Sequence, residues 1–598
     1  MPFKQESRQQ VQQFIETNFL SAFSNDVEQL KAVFSKPVID QLVWLQQGQL
    51  EAQGQVYTSN QTAFTNSATI SSTPLHPEIP RAASRFYNLY LFNKQANEQG
   101  YSKFIGPQTE LVQQGLLESN HVLKPGSYKS LCEFYKGGND AEYNALVLNA
   151  VITKTPEAVK ILKAQTGLEI ADSVDFLFYS LQTYPQIYPL AAVLLQKTPE
   201  TQVHLKNVCL LVATKRTSLK VRAAHLRHMG YDEGGIEKYQ DLIEAIKKGL
   251  VTQTMLISWI RGWLANIAGM DGGIGSYYLD QRKFDRILRL ITCLFKLCNN
   301  PDYQIQSEYL DGEADYLNLP KTNGEQQQAR LTLSSLACSL RLFTPAEGQA
   351  LNAGFNKLSA KWKAEIFSLY ERARQQGFER TPTYLPLLFQ NVFLMLQEQN
   401  KMHLLKVSSL EEARKIEATF SKTELDHFRT ELKKLRLEAI EKTVALCLPI
   451  YSQAMKKYAA DRKSGLIPNI PLNFNSVSSR EGVAKLIAMT DSSQVEFEID
   501  PSSGVLKVQI IAAQELLKRR AETLASSTAA TTSRAASSTQ ARLSNPTFIG
   551  WARSNTESNT EGLLLPIDPV DVTLTAVSVT AGDDAKPKTS SAVLKHKG

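Results

Sequence analysis

The helical spacing of its apolar residues is what most limits the folds open to this chain, and the spacing is clearest between residues 408 and 463. Four apolar residues recur there at intervals of three and four, which places them on one face of a helix: Leu425, Phe428, Leu432 and Leu435. Glutamate and lysine residues cover the opposite face. Because only about two heptads are present, the pattern predicts a helical hairpin arm or a bundle helix instead of a long coiled coil.

Capping signals mark the ends of these helices. Ser409 with Glu412, and Ser421 with Glu424, fit the capping box, in which a serine hydroxyl and a glutamate carboxylate each bind a backbone N–H. Pro449 is expected to kink or end the second helix, because its ring removes a donor and clashes with the preceding turn. Further helices are predicted at 80–97, 236–248, 254–268, 280–298, 328–342, 345–377 and 384–399.

One segment near the C-terminus alternates as a strand does. Val495–Ile499 and Val505–Ile510 flank the turn-forming Asp500–Gly504, which predicts a β-hairpin, and a helix is expected to follow to about residue 525. Residues 526–598 are rich in Ser, Thr and Ala and carry too few apolar residues to offset their ordering entropy. A disordered tail is therefore expected there.

A length of 598 residues exceeds one ordinary domain, so several cores are expected. The predicted fold is all-α, with several helical subdomains and one small α+β element. In chain order the predicted segments are an N-terminal helical region with a polar loop, a central helical domain, a helical hairpin arm, the α+β element and the tail: 1–120, 121–400, 401–465, 466–525 and 526–598.

Charge and cysteine usage argue against several classes of protein. A net charge of +7 over the whole chain provides no concentrated basic face, so sequence-specific nucleic-acid binding is not expected. The six cysteines form no CxxC pair and lie mostly in apolar runs, as buried thiols do. The polar N-terminus lacks the apolar core of a Sec signal. The apolar stretches 256–269 and 384–397 are shorter than the about 20 residues that span a bilayer, so no transmembrane segment is expected.

The glycine-rich loop at 269–276 is the first candidate functional site. Glycines permit a close backbone approach to a ligand, and N–H groups at the start of the following helix attract anions. The predicted ligand-binding residues are Gly269, Gly272, Gly273, Gly275 and Ser276. Asp271 is the candidate catalytic acid or base, or a metal ligand.

The same loop also has a purely structural interpretation. Its spacing matches neither GxxxxGK[ST] nor GxGxxG after a strand. A tight turn between two helices, with Asp280 capping the second, explains the glycines without a ligand. Trp259, Trp263 and the pair Tyr277–Tyr278 lie nearby and make this loop the leading candidate for a pocket. The sequence names no cofactor and predicts no metal site.

A basic segment at 215–230 is the second candidate, as a site for an acidic lipid or a phosphorylated ligand. Five basic residues belong to it: Lys215, Arg216, Lys220, Arg222 and Arg227. On a helix the residues at 216, 220 and 227 share one face while the others point elsewhere, so a solvated helix face is the alternative. His225 and His228 stand three residues apart and could ligate a metal or pair with phosphate.

An acidic string is the third candidate, and it lies within residues 300–327, whose polar composition predicts a loop. Its carboxylates are Glu308, Asp311, Glu313 and Asp315. Carboxylates at this density can bind a divalent cation. The spacing does not meet the EF-hand pattern, and an acidic surface loop is the alternative.

The C-terminal segment Lys586–Gly598 is small, polar and basic, with an apolar pair near its end. Together with the helical body and the Gln-, Asn- and Lys-rich loops, it resembles effectors of Legionella and Coxiella that leave the bacterium by the Dot/Icm type IV secretion system. Many of those signals carry a run of glutamates, whereas this tail has scattered acids such as Glu557 and Glu561. The resemblance implies export from the bacterial cytoplasm without a Sec signal, and action on a host protein or membrane.

The leading expectation is therefore an effector-like interaction protein that engages a host protein through helical surfaces in the host cytosol. Two alternatives stay open. One is an enzyme that acts on a phosphate-bearing substrate at the glycine-rich loop, with Asp271 at its centre. The other is a peripheral membrane binder that uses the basic segment at 215–230.

Overall fold

In the computed structural model, the described part of the chain forms two compact units. The first ends at Tyr316 and the second begins at Leu317. The described residues are 5–52, 75–76, 78–113, 117–152, 156–167, 173–208, 236–270, 272–320, 325–376, 385–465, 494–499 and 506–511. The predicted tail at 526–598, the helix expected after the hairpin and the basic segment at 215–230 lie outside these ranges.

The described part of the first unit is built of helices. In chain order they are α1 (Gln5–Phe19), α2 (Val27–Val33), α3 (Lys36–Ala52), α4 (Glu78–Lys94), α5 (Glu98–Gln113), α6 (Pro125–Lys136), α7 (Asp140–Val151), α8 (Pro156–Thr166), α9 (Ser173–Thr183), α10 (Pro189–Lys197), α11 (Thr201–Val208), α12 (Gln240–Lys247), α13 (Gln253–Ala268), α14 (Gln281–Asn299) and α15 (Ile305–Tyr316). Short 3₁₀ turns also occur, at Leu20–Phe23, Ser119–His121, Pro185–Ile187 and Ile236–Tyr239.

Helix α4 runs through the core of this unit. It packs against α3, α5, α6, α7 and α13, and Phe86, Leu89 and Phe92, the apolar face expected from the sequence, are all buried. The Phe92 ring lies 5.3 Å from that of Phe104 and 4.9 Å from that of Tyr135, between ring centroids. Aromatic packing of this kind adds to the stabilisation that burial alone gives.

The second unit consists of helices and one hairpin. Its helices are α16 (Glu325–Ser339), α17 (Pro345–Asn356), α18 (Ala360–Gln376), α19 (Leu385–Leu405), α20 (Leu410–Glu417) and α21 (Lys422–Lys463). The long helix α21 packs against α17, α18 and α19. Strands β1 (Gln494–Ile499) and β2 (Leu506–Ile511) pair antiparallel, with Val495 opposite Ile510.

The all-α fold class is confirmed, and so is the predicted capping box of Ser421 and Glu424. Only half of the box predicted at Ser409 forms, because the Glu412 carboxylate accepts from the Ser408 amide at 3.3 Å instead of the Ser409 amide. The amide of Glu412 donates to the Ser409 hydroxyl at 3.2 Å. The Ser421 amide donates to the Glu424 carboxylate at 2.8 Å, and the Glu424 amide donates back to the Ser421 hydroxyl. Local side-chain chemistry therefore fixes where α20 and α21 begin.

Three helix assignments are corrected by the structure. The loop expected at 300–327 is wrong over much of its length, because α15 occupies Ile305–Tyr316. The single helix expected at 345–377 is two, α17 and α18, separated at Lys357–Ser359. Of the two effects expected of Pro449, a kink or an end of the helix, the structure excludes the end, since α21 continues through it. Packing of α21 against three other helices offsets the hydrogen bond that the proline removes.

The division into two units also differs from the predicted segment boundaries. Residues 121–316 share a core with the N-terminal helices, because α4 packs against α6, α7 and α13 across the predicted boundary at 120. The change of unit at 316 falls inside the segment 121–400 that was predicted as one central domain.

Glu313 explains why an acidic stretch forms a helix here. Its side chain is fully buried and accepts hydrogen bonds from Arg286 Nε at 3.0 Å and Arg289 Nε at 2.7 Å. Burial alone would raise the pKa of Glu313, but the two guanidinium groups hold it below its ordinary value. The carboxylate thus joins α15 to α14.

We expect Glu313→Gln to lower the free energy of unfolding by roughly 3 kcal/mol, because it leaves the buried Arg286 without its counter-charge. Glu308→Gln, an exposed change on the same helix, is the matched control and should alter stability by less than about 0.5 kcal/mol. Urea unfolding of both variants measures the difference.

Because the pKa of Glu313 is lowered in the folded protein, the stability that this carboxylate contributes is present above the ordinary glutamate pKa. It is lost as the pH falls through the pKa of Glu313 in the folded protein. Equal stabilities of the two variants near neutral pH would contradict the assignment.

Candidate functional site

The glycine-rich turn, residues 269–280, connects α13 to α14 and lies against α4 and α5. Two of its glycines sit where a side chain has no room. A Cβ atom on Gly269 would collide with the backbone of Arg85. A Cβ atom on Gly275, whose φ is +73°, would collide with the carbonyl oxygen of Phe104. These two positions require glycine for packing, whether or not a ligand binds.

Gly272 and Gly273 complete the run of glycines. Gly272 has a φ of +80°, and a Cβ atom there would lie 2.7 Å from the Pro80 side chain. The carbonyl oxygen of Gly273 accepts a hydrogen bond from the Ser84 hydroxyl at 2.6 Å. Both residues therefore face the first two turns of α4.

Asn88 of α4 holds both sides of the turn. Its fully buried amide nitrogen donates to the carbonyl oxygen of Ala268 at 3.1 Å and to that of Gly275 at 3.1 Å. One side chain thereby pairs two carbonyl groups, one at the end of α13 and one seven residues further on. Buried carbonyl groups need such partners, because leaving one unpaired costs about 1–3 kcal/mol.

Gln108 of α5 does the same for the second half of the turn. Its amide nitrogen donates to the carbonyl oxygens of Ser276 at 2.8 Å and Leu279 at 3.1 Å. The Ser276 amide donates to the carbonyl oxygen of Phe104 at 3.0 Å. The Ser276 hydroxyl, which is fully buried, accepts from the Leu279 amide at 3.0 Å.

The predicted ligand-binding residues are thus brought together, and the carbonyl oxygens of Gly273, Gly275 and Ser276 have partners inside the protein. The Ser276 hydroxyl is fully buried and already accepts from the Leu279 amide. Asp271, the candidate catalytic residue, lies outside the described residues. Ligand binding at this turn stays a prediction, and the observed contacts are those of a packed helix–helix connection.

Asp280 caps α14, as the structural interpretation of the loop requires. Its carboxylate accepts a hydrogen bond from the Lys283 amide at 3.1 Å and pairs with Arg282 at 2.7 Å. Full burial would by itself raise the pKa of Asp280, but Arg282 and Lys283 hold it below its ordinary value. The aspartate therefore stays charged and anchors the first turn of the helix.

The aromatic residues near the turn belong to the core. Trp259 and Trp263 are fully buried and stack with 5.4 Å between ring centroids. Tyr277 and Tyr278 are half-buried, and the Tyr278 ring lies 5.0 Å from the Lys283 ammonium group. The tryptophans pack the α13 helix and do not line an open pocket.

The acidic string does not form a cation site in the structure. Glu313 points into the core, whereas Glu308 and Asp315 are exposed on the outer face of α15. Among the described residues, no group of three or more His, Cys, Asp or Glu side chains is arranged to hold a metal ion. The five basic residues and two histidines of the segment at 215–230 are not among the residues that the structure describes.

Two features near α6 were not predicted from the sequence. A groove of about 380 Å³ lies between α5, the Ser119–His121 turn and the start of α6, with Lys124 among its lining residues. Behind it, Gln281 accepts from the Lys124 amide at 2.8 Å and donates to Asp285 at 2.7 Å. Burial raises the pKa of Asp285 to about 6. These residues come from three separate segments, so no local pattern could have indicated them.

No protein-family model, curated protein or solved structure matches this chain. Within the described ranges, none of the helices is long and apolar enough to cross a membrane.

We expect Gly275→Ala to lower the free energy of unfolding by more than about 1 kcal/mol, since alanine is strained at a φ of +73° and collides with Phe104. Gly273→Ala is the matched control, because nothing lies within 4 Å of its Cβ position. Thermal unfolding of the two variants measures the contrast. If both alanines are tolerated, the turn is not packed as described.

Asp285→Asn should stabilise the protein in a pH-dependent way. The pKa of Asp285 is raised from 3.8 to about 6, so the wild-type protein loses stability as the pH rises through this window, while the asparagine variant does not. Below the lower of these two pKa values, the variant and the wild type should have the same free energy of unfolding. Above the higher one, the free energy of unfolding of the variant should be larger by roughly 2–3 kcal/mol. Urea unfolding at both ends of the window measures this, and a constant difference would contradict the raised pKa.

Proposed function

We propose that this chain is an interaction protein that binds another protein through an arm made of residues 401–437. The arm comprises the end of α19, helix α20 and the first part of α21. The observation that carries the proposal is its burial pattern: of its apolar residues, only Ala413 and Phe428 are buried. The larger remaining side chains are half-buried, and they are Met402, Leu404, Leu405, Val407, Leu410, Ile416, Phe420, Leu425, Leu432, Leu435 and Leu437.

This pattern favours a protein partner because apolar contacts are left to be made. Within the arm, the rings of Phe420 and Phe428 pack with their centroids 5.4 Å apart. Anchored amphipathic helices with exposed apolar side chains are typical of surfaces that bury apolar area against a partner. Arg436, near the end of the arm, forms an ion pair with Glu347 of α17 at 2.7 Å and so attaches the arm to that helix.

The charges of the arm favour a protein over an anionic membrane. Several basic residues pair with acids on the arm itself, at 2.8 Å for Lys415 with Glu411 and at 2.6 Å for Lys434 with Glu431. A membrane-binding face would instead present unpaired lysine and arginine residues. The resemblance to Dot/Icm effectors suggests that the partner is a host protein and that binding takes place in the host cytosol.

The enzyme alternative receives less support. Its candidate pocket is the glycine-rich turn, where the carbonyl oxygens of Gly273, Gly275 and Ser276 are already paired with side chains of α4 and α5. An enzyme should lose activity, and not stability, on Asp271→Ala, whereas an interaction protein should tolerate that change.

The test is site-specific photo-crosslinking with the full chain in a eukaryotic lysate. A photo-reactive residue at Leu425 or Ile416 is expected to give the same saturable adduct, and one at the exposed Ala364 of α18 should give none. Leu425→Glu should reduce the adduct formed from position 416 by roughly tenfold, because it places a charge among the apolar contacts. Circular dichroism checks that this variant is folded.

Two outcomes would overturn the proposal. One is an absence of any adduct specific to the arm. The other is a chemically modified host protein whose modification disappears with Asp271→Ala, which would make the chain an enzyme.

A further inference from the structure

We infer that the groove between α5 and α6 binds a small amphipathic anion, with its carboxylate or phosphate against Lys124 and its apolar body along the groove. The groove encloses about 380 Å³, which is within the range of small-molecule sites in proteins. This role is independent of the protein partner proposed for the arm, because the arm belongs to the other unit.

The walls of the groove supply an apolar body with contacts. Val112 comes from the last turn of α5, Val122 from the connection, and Pro125 from the first position of α6. Thr109 and Ser119 add hydroxyl groups, and of the described residues that line the groove none is acidic. The lining is therefore apolar with a few polar groups, as is typical of small-molecule pockets.

The positive end of the groove lies where α6 begins. Lys124 is the N-cap residue of α6, and its side chain makes no capping hydrogen bond. The partial positive charge of a helix N-terminus adds to the ammonium charge at such a position. Pro125 removes one donor from the first turn, but the amides of Gly126 and Ser127 follow directly.

The position of Lys124 is fixed by the backbone and not by its side chain. Its amide donates to the buried Gln281 of α14 at 2.8 Å, and its carbonyl oxygen accepts from the Tyr128 amide at 3.0 Å. A substitution of the side chain keeps both contacts. The ammonium group of Lys124 also acts on the buried carboxylate of Asp285, where it opposes the rise in pKa that burial causes. Circular dichroism of Lys124→Gln therefore has to show that the variant is folded.

The experiment is isothermal titration calorimetry of the full chain with hexyl phosphate, which combines an anionic head with a short apolar body. Inorganic phosphate, which has only the anionic head, and hexanol, which has only the apolar body, are titrated as controls. Lys124→Gln should weaken hexyl phosphate binding by roughly tenfold or more, because it removes a charge-assisted contact, while Lys124→Arg should retain it. Lys129→Gln is the matched control, since this lysine lies on the same helix, is 73% exposed and does not line the groove.

Saturable binding of hexyl phosphate that is lost in Lys124→Gln and kept in Lys129→Gln supports the inference. Equal losses in the two glutamine variants, or no binding by the wild type, overturn it. Binding of inorganic phosphate as tight as that of hexyl phosphate would show that the apolar walls play no part. A free molecule and a membrane lipid are distinguished by vesicles that contain phosphatidylserine. Vesicle binding that requires Lys124, without hexyl phosphate binding, would overturn the proposal of a free ligand.

Discussion

The first unit depends on the need to pair the buried carbonyl groups of its glycine-rich turn. Between the end of α13 and the start of α14, Asn88 and Gln108 donate to four backbone carbonyl oxygens, those of Ala268, Gly275, Ser276 and Leu279. Each unpaired group would cost about 1–3 kcal/mol, so the two amides fix where α4 and α5 lie against the turn. Gly275 can approach Phe104 closely only because it has no side chain. The position of α6 follows, since Gln108 also accepts from the Leu123 amide at 2.8 Å.

Buried charges act in the same way at other helix contacts of this unit. Arg261 of α13 pairs with Glu142 of α7 at 2.6 Å, and Ser258 donates to the other oxygen of that carboxylate. The Arg289 guanidinium group beside Glu313 also lies 4.1 Å from the Tyr316 ring centroid. Such pairs add little net stability, but removing one member is costly. They fix which helix lies against which.

The sequence predicts what depends on neighbouring residues. Ser421 and Glu424 mark the start of α21, and Asp280 marks the start of α14, because a cap acts over three residues. The sequence does not predict hydrogen bonds and ion pairs between residues that are far apart in the chain. The partner of Gly275 lies 187 residues away at Asn88. Glu313 looked like a surface acid because nothing near it in the chain shows the two arginines that hold it.

The described atoms of the turn hold helices together, which leaves the exposed surfaces of the chain as the places for partners and ligands. Hydrogen–deuterium exchange of the full chain tests this claim most directly at the amides of Ser276 and Leu279. Their partners are the carbonyl oxygen of Phe104 and the Ser276 hydroxyl. We expect both amides to exchange as slowly as those in the middle of α13. Exchange as fast as that of an exposed loop would contradict it and favour an open, ligand-binding turn.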